Sequence, residues 1–282
     1  MTRDVRFSKY EGTGNDFVMV VDLEDDRPFT TEEAAALCDR RFGVGADGLI
    51  RIVRGRDAAL FMDYRNADGS IAEMCGNGVR CVAALARDAG LIDMTEFDVA
   101  TLAGIHRVEL LADTRISVEM GKPAFAKSAI PMRGPAWETF LGEPLDIGGG
   151  ITVKASALSM GNPHLVLLVE DHPDRFHVTH IGPVLEHHEL FPEGTNVEFA
   201  HVTPDAIHTR VWERGSGETM GCGSGACAVA VAANEAGLAP ARTMVAFPGG
   251  DLEVERREDG EVLLTGPATK VFEGGVDLDA LR

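Results

Sequence analysis

A chain of 282 residues is long enough for two domains, each able to bury a core of its own. Its 45% hydrophobic and 25% charged content describes a globular protein, not a disordered one. The net charge of −19 excludes a surface built for nucleic acid or anionic lipid, which needs a basic patch, and no apolar run approaches the roughly 18–20 residues of a membrane helix.

In chain order, the start "MTRDVRFSKY" lacks the apolar core of a signal peptide, so the expected location is intracellular and cytoplasmic. "FVMVVDL" predicts a strand. "TTEEAAALCDRRFG" predicts a helix, with Thr30 and Glu33 spaced as a capping box and Gly43 as its stop. "GLIRIV" and "AALFMDYR" predict strands, and "CGNGVRCVAALARDAG" a helix ended by Gly90. "TEFDVAT", "HRVELLA" and "RISVEM" are three further β-rich runs. The Pro- and Gly-rich stretch 121–150 is the expected boundary between halves.

Beyond it, "ITVKASAL", "HLVLLVE", "TNVEFAHV" and "HTRVWER" predict strands, and "CGSGACAVAVAANEAG" a second Ala-rich helix that stops at Gly237. "MVAF", "LEVERR" and "EVLLTG" close the half, the last two joined by an Asp259-Gly260 hairpin. The tail after Thr265 is expected to return to the first domain.

The five cysteines, Cys38, Cys75, Cys81, Cys222 and Cys227, are an odd number with no secretion signal, which points to reduced thiols. Their spacings fit neither zinc ribbons nor C-x-x-C redox pairs, so no metal site is expected. Cys75 of "CGNG" and Cys222 of "CGSG" lie 147 positions apart, and so do Asn15 of "GTGND" and Asn162 of "MGNPH". Equal offsets of two features indicate duplicated halves, each a mainly antiparallel sheet around a helix that begins at CGxG.

A helix start carries unpaired N–H groups and partial positive charge, so it welcomes an anion and stabilises a thiolate. The expected lowering of either thiol is at most about 1.5 pKa units. One such cysteine suggests a nucleophile. Two quasi-equivalent ones facing each other suggest proton removal from one face of a carbon and return from the other, which inverts a stereocentre. Helix starts converging on an adjacent carboxylate would stabilise the charge that develops there.

The motifs "GTGNDFV", "GVGADGL", "NADGSIAEMCGNGVRC", "GNPH", "GTNVEF" and "ERGSGETMGCGSGA" resemble, in this order, the diaminopimelate epimerase family. The resemblance runs from Gly12 to Ala226, with small departures at Met220-Gly221 and at Ser224, where threonine is common. It implies an α/β (α+β) fold of two pseudo-symmetric domains, each an antiparallel β-barrel-like sheet wrapped around a central helix, with the active site in the cleft between them. The implied domains are 1–123 with about 267–282, and 124–266.

The activity implied is interconversion of LL- and meso-diaminopimelate in lysine biosynthesis, without a cofactor, on a small-molecule amino-acid substrate. Cys75 and Cys222 would be the catalytic base and acid pair, exchanging roles with direction, with His164 and Glu213 tuning their protonation. Asn15, Asn66, Asn162, Asn196, Glu213 and Arg214 would bind the substrate's polar groups. Gly76, Asn77, Gly223 and Ser224 would contact the reacting carboxylate from the helix starts. Cys38, Cys81 and Cys227 match no catalytic position and read as structural.

Three other readings compete. A related two-cysteine proline or hydroxyproline racemase would not need "GTNVEF" and "ERGSGET" in this form. A thiol redox switch would use the same two cysteines. A pyridoxal-phosphate enzyme lacks a recognisable Schiff-base setting among Lys9, Lys122, Lys127, Lys154 and Lys270. The sequence leaves a homodimer open as the assembly.

Overall fold

The computed structural model of the chain describes residues 4–147 and 150–281. Contacts divide it into two units, Met1–Val118 with Gly266–Arg282, and Glu119–Thr265. Among the described residues no helix is long and apolar enough to cross a membrane.

In the first unit the strands are β1 (Asp4–Gly12), β2 (Asn15–Val21), β3 (Gly48–Arg54), β4 (Leu60–Asn66), the short β5 (Ile71–Ala72), β6 (Glu96–Thr101), β7 (Gly104–Leu110) and β8 (Ile116–Glu119), with helices α1 (Thr31–Cys38) and α2 (Gly76–Asp88). The chain's last strand, Thr269–Asp277, pairs antiparallel with β1. From it the order runs β1, β2, β3, β4, β6, β7, β8, with β2–β3 and β4–β6 parallel and the other pairs antiparallel.

Alternation along the strands assigns the two faces. Val18, Val20 and Leu49 pack with Ala34 and Leu37 of α1. Ile50 points the other way, where a Cβ on Gly78 of α2 would lie 3.0 Å from its Cδ1. With a helix on each side, β3 is buried from Gly48 through Val53, an apolar run interrupted by the ion-paired Arg51.

The second unit repeats this plan. Its strands are β9 (Phe140–Asp146), β10 (Thr152–Ser159), β11 (Pro163–Leu168), β12 (Asn196–Val202), β13 (Ile207–Glu213), β14 (Gly217–Thr219), β15 (Arg242–Phe247), β16 (Gly250–Arg256) and β17 (Val262–Gly266), with helices α3 (Val178–Glu186) and α4 (Gly223–Glu235). The order is β9, β10, β11, β12, β13, β15, β16, β17, with β11–β12 and β13–β15 as the parallel pairs. Each parallel pair holds the same place as in the first unit. Val197 and Phe199 of β12 pack with Val178 and Leu185 of α3, and Glu198 between them faces α4.

Both central helices span 13 residues and begin directly after a cysteine. Both end at a glycine in the left-handed region, Gly90 at φ 63° and Gly237 at φ 69°. The amides of Leu91 and Leu238 then close back onto Ala86 and Ala233, each at 2.9 Å, so the last carbonyls are satisfied.

The structure corrects several readings of the sequence. The Thr30–Glu33 capping box is present, but α1 stops at Cys38, before Gly43. Asp39 accepts hydrogen bonds from the backbone amides of Arg41 and Phe42, both at 2.7 Å, and this side-chain turn competes with further helix. Within the stretch 121–150, where no strand was predicted, β9 pairs with β10. Helix α3 was hidden by its internal Gly182-Pro183, where a side chain on Gly182 would strike Trp212 at 2.5 Å.

Candidate active site

In the first unit, Cys75 is the N-cap residue of α2, extended at φ −147° and ψ 115°, and its side chain makes no capping bond to the helix. Its Sγ donates to Asn15 Oδ1 at 3.5 Å, and Asn77 Nδ2 donates to the same oxygen at 3.4 Å. Asn15 is held from behind, its Nδ2 donating to Asp47 Oδ2 at 2.9 Å. Arg80, fully buried in α2, donates to Asn77 Oδ1 at 2.8 Å and to Thr13 Oγ1 at 3.0 Å. Asn15, Cys75, Gly76 and Asn77 are thus brought together. Asn66 is engaged elsewhere, donating to Ser70 Oγ at 3.0 Å across the turn after β4.

Beneath Asn15 lies an ionic cluster. Asp16 pairs with Lys9 at 2.7 Å and with Arg40 at 2.6 Å, while Lys9 also donates to the Gly45 carbonyl. Burial works to raise the Asp16 pKa, but hydrogen bonds from Arg40 and Lys9 outweigh it and draw the carboxyl down to about 2. A depressed acid stabilises the fold above its unfolded pKa and loses that contribution as pH falls through the folded value. Thermal stability is therefore expected to decline from about pH 5 toward pH 2 by roughly 2 kcal/mol from this group alone. Melting curves of Asp16→Asn should be flatter than wild type across that window; parallel curves would refute the assignment.

In the second unit, Cys222 caps α4 in the same way, at φ −128° and ψ 123° with no side-chain capping bond. Its Sγ lies 3.5 Å from Ser224 Oγ. His164 in β11 is completely buried, with Nδ1 2.6 Å from Glu198 Oε1 and Nε2 2.9 Å from Asn162 Oδ1. Glu213 at the end of β13 accepts from Thr219 Oγ1 at 2.5 Å. Asn196 is bound to backbone, donating to the Pro163 carbonyl at 2.8 Å and accepting from the Arg214 amide at 2.9 Å. The Arg214 guanidinium donates to the Glu193 carbonyl at 3.4 Å.

The expected lowering of the thiol pKa does not hold at Cys222. Burial, followed by the Glu213 charge, pushes this thiol well above its usual value. The helix start contributes only about 0.3–2 kcal/mol, too little to offset desolvation and the Glu213 carboxylate. That direction favours the protonated thiol at Cys222. Cys38 and Cys81 are buried, and burial pushes Cys38 up to about 12. Such thiols are inert at neutral pH, in keeping with structural roles.

Four residues escaped the sequence reading: Asp47 behind Asn15, Arg80 behind Asn77, Glu198 behind His164, and Glu186. Glu186 accepts from Trp212 Nε1 at 2.6 Å and from the Gly215 amide at 2.8 Å, which fixes the turn carrying Glu213 and Arg214. The sequence carried no signal for Glu198, because an acid between Val197 and Phe199 fits the ordinary alternation of a strand, and only the structure shows both faces buried there.

The sequence profile described as diaminopimelate epimerase matches residues 7–126 and 156–271, which include both cysteine-capped helices. The chain belongs to the diaminopimelate epimerase family. It is 46% identical over 276 residues to the diaminopimelate epimerase of Desulforudis audaxviator, covering 96% of this chain and 98% of that one. It is 44% identical over 282 residues to that of Moorella thermoacetica, covering 98% and 100%.

The diaminopimelate epimerase fold is shared more widely. A hydroxyproline epimerase from Agrobacterium vitis, solved with trans-4-hydroxy-L-proline, superposes with a TM-score of 0.72 over 99% of this chain and 94% of that one, at 13% identity. A methylitaconate-delta-isomerase superposes at 0.62, over 100% and 97%, with 14% identity. At these identities the likeness concerns architecture alone.

Proposed function

We propose that this chain is an isomerase that interconverts LL- and meso-2,6-diaminopimelate through Cys75 and Cys222, without a cofactor, in lysine biosynthesis in the cytoplasm, with a homodimer as its assembly. The observation that carries this reading is the repeated cysteine N-cap. In each unit a thiol that makes no capping bond opens a 13-residue helix whose first turn is Gly-x-Gly.

In the proposed reaction one thiolate removes the α-proton, and the electrons of the broken C–H bond pass toward the neighbouring carboxylate. The other cysteine, as thiol, delivers its proton to the opposite face and becomes the thiolate. One C–H bond breaks and one forms, and the configuration inverts. Helix-start amides at Gly76-Asn77 and Gly223-Ser224 would hold the carboxylate while charge grows on it. The upward push on the Cys222 thiol favours its proton-bearing form in the resting chain. Asn15, Asn66, Asn162, Asn196, Glu213 and Arg214 are proposed to receive the substrate's ammonium and carboxylate groups.

The test uses heavy water. With LL-diaminopimelate the protein is expected to produce the meso isomer carrying one deuterium at the inverted carbon. L-Proline and trans-4-hydroxy-L-proline are expected to show no α-hydrogen exchange. Exchange of proline in place of diaminopimelate would overturn the substrate assignment.

A further inference from the structure

The two units are built alike, yet they differ at one pair of positions beside the cysteine. In the first unit Phe17 pairs with Gly48 in the β2–β3 ladder, and in the second His164 pairs with Asn196 in β11–β12. Two residues farther along stand Ile50 and Glu198. Both reach the same place under the helix start: a Cβ on Gly78 would lie 3.0 Å from Ile50 Cδ1 and 3.4 Å from Cys75 Cβ, and a Cβ on Gly225 would lie 3.0 Å from Glu198 Oε1 and 3.2 Å from Cys222 Cβ. An apolar Phe17/Ile50 pair in one unit is thus His164/Glu198 in the other. The scaffold itself accepts hydrocarbon there, so packing does not explain the acid.

The hydrogen bonds determine where the protons are. His164 Nε2 faces the carbonyl oxygen of Asn162, an acceptor, so Nε2 carries a hydrogen. One proton remains for the 2.6 Å contact between Nδ1 and Glu198 Oε1. The other carboxyl oxygen, Oε2, is buried with no hydrogen-bond partner among the described residues. An ionised carboxylate with a bare oxygen in a site of zero exposure is far costlier than the neutral acid. Desolvation accordingly pushes Glu198 upward, with the nearby Glu213 charge reinforcing it against the opposing pull of His164.

We propose that Glu198 is held as a neutral carboxylic acid that donates its proton to His164 Nδ1, and that it is a positioning residue. It fixes the Nε2–H form of His164 and, through the bond to Oδ1, the orientation of the Asn162 amide. In its neutral form it also adds no negative charge beside Cys222. The catalytic consequence rests on the function proposed above, since that reading assigns Asn162 to the substrate; the protonation state does not.

Two variants test this. In Glu198→Gln the side-chain amide replaces the acid O–H as donor to Nδ1, so kcat and KM are expected within about 3-fold of wild type, and nitrogen NMR of His164 should show the same neutral Nε2–H form. Glu198→Leu gives the second unit the hydrocarbon that Ile50 supplies in the first. Its thermal stability should equal or exceed wild type, while His164 loses its single tautomer and KM for diaminopimelate rises about 10–100-fold, the range typical of lost outer-shell support. An imidazolium spectrum for His164 in the wild type, or unchanged KM in Glu198→Leu, would overturn the proposal. If the wild type did not turn over diaminopimelate at all, the function would fall while the His164 spectrum still decided the proton's place.

Discussion

Cys75→Ala and Cys222→Ala are each expected to lower kcat for epimerisation by about 10²–10⁴-fold, the contribution of a positioned acid or base. Neither change should unfold the protein, because neither sulfur caps its helix and alanine leaves both glycine-rich first turns in place. The two variants should differ from simple inactivation in heavy water. With one sulfur gone, the remaining thiolate can still remove and return a proton on its own side. Each variant should therefore wash deuterium into one isomer only, with configuration retained, and the two variants should choose opposite isomers. Near-normal inversion by either would refute the two-thiol mechanism.

The second large effect is structural. Arg80 is the bulkiest fully buried side chain of the described residues, and it ties α2 to two other segments. Besides Asn77 and Thr13, its Nε donates to the Pro267 carbonyl at 3.3 Å, just before the chain's last strand. Arg80→Ala removes a charged donor from the buried Asn77 and Thr13 and from the Pro267 carbonyl, and leaves a cavity, a combination expected to cost about 3–5 kcal/mol. For a protein of this size the melting temperature should fall by roughly 10 °C. Arg80→Lys should recover only part of this, since one ammonium cannot span the three acceptors that the guanidinium reaches. Thermal unfolding followed by circular dichroism measures both, and a melting point within about 2 °C of wild type for the alanine variant would refute the role.

The features legible from the sequence were those whose cause is local. The capping box at Thr30, the glycines closing α2 and α4, the Asp259-Gly260 turn between β16 and β17, and the strands "GLIRIV" and "TNVEFAHV" each carry their signal within a few residues. What escaped was set by distant partners. The last strand, Thr269–Asp277, is mostly exposed and holds Gly274-Gly275, so it shows no alternation; pairing with β1, far away in the chain, is what makes it a strand. Helix α3 survives its internal proline because Val178 and Leu185 pack into the core of the second unit.

The site divides the same way. By itself the sequence determined which atoms are available for chemistry: two cysteines, each opening a helix through glycines, at one constant spacing in a duplicated chain. Only the tertiary structure decided the direction in which the Cys222 thiol is pushed. A helix start would lower any thiol placed on it, but the burial of Cys222 beside Glu213 reverses that direction. Spacing along the chain fixes where a side chain stands on its element. The free energy of charging it depends on how much water and which charges the folded neighbours leave around it.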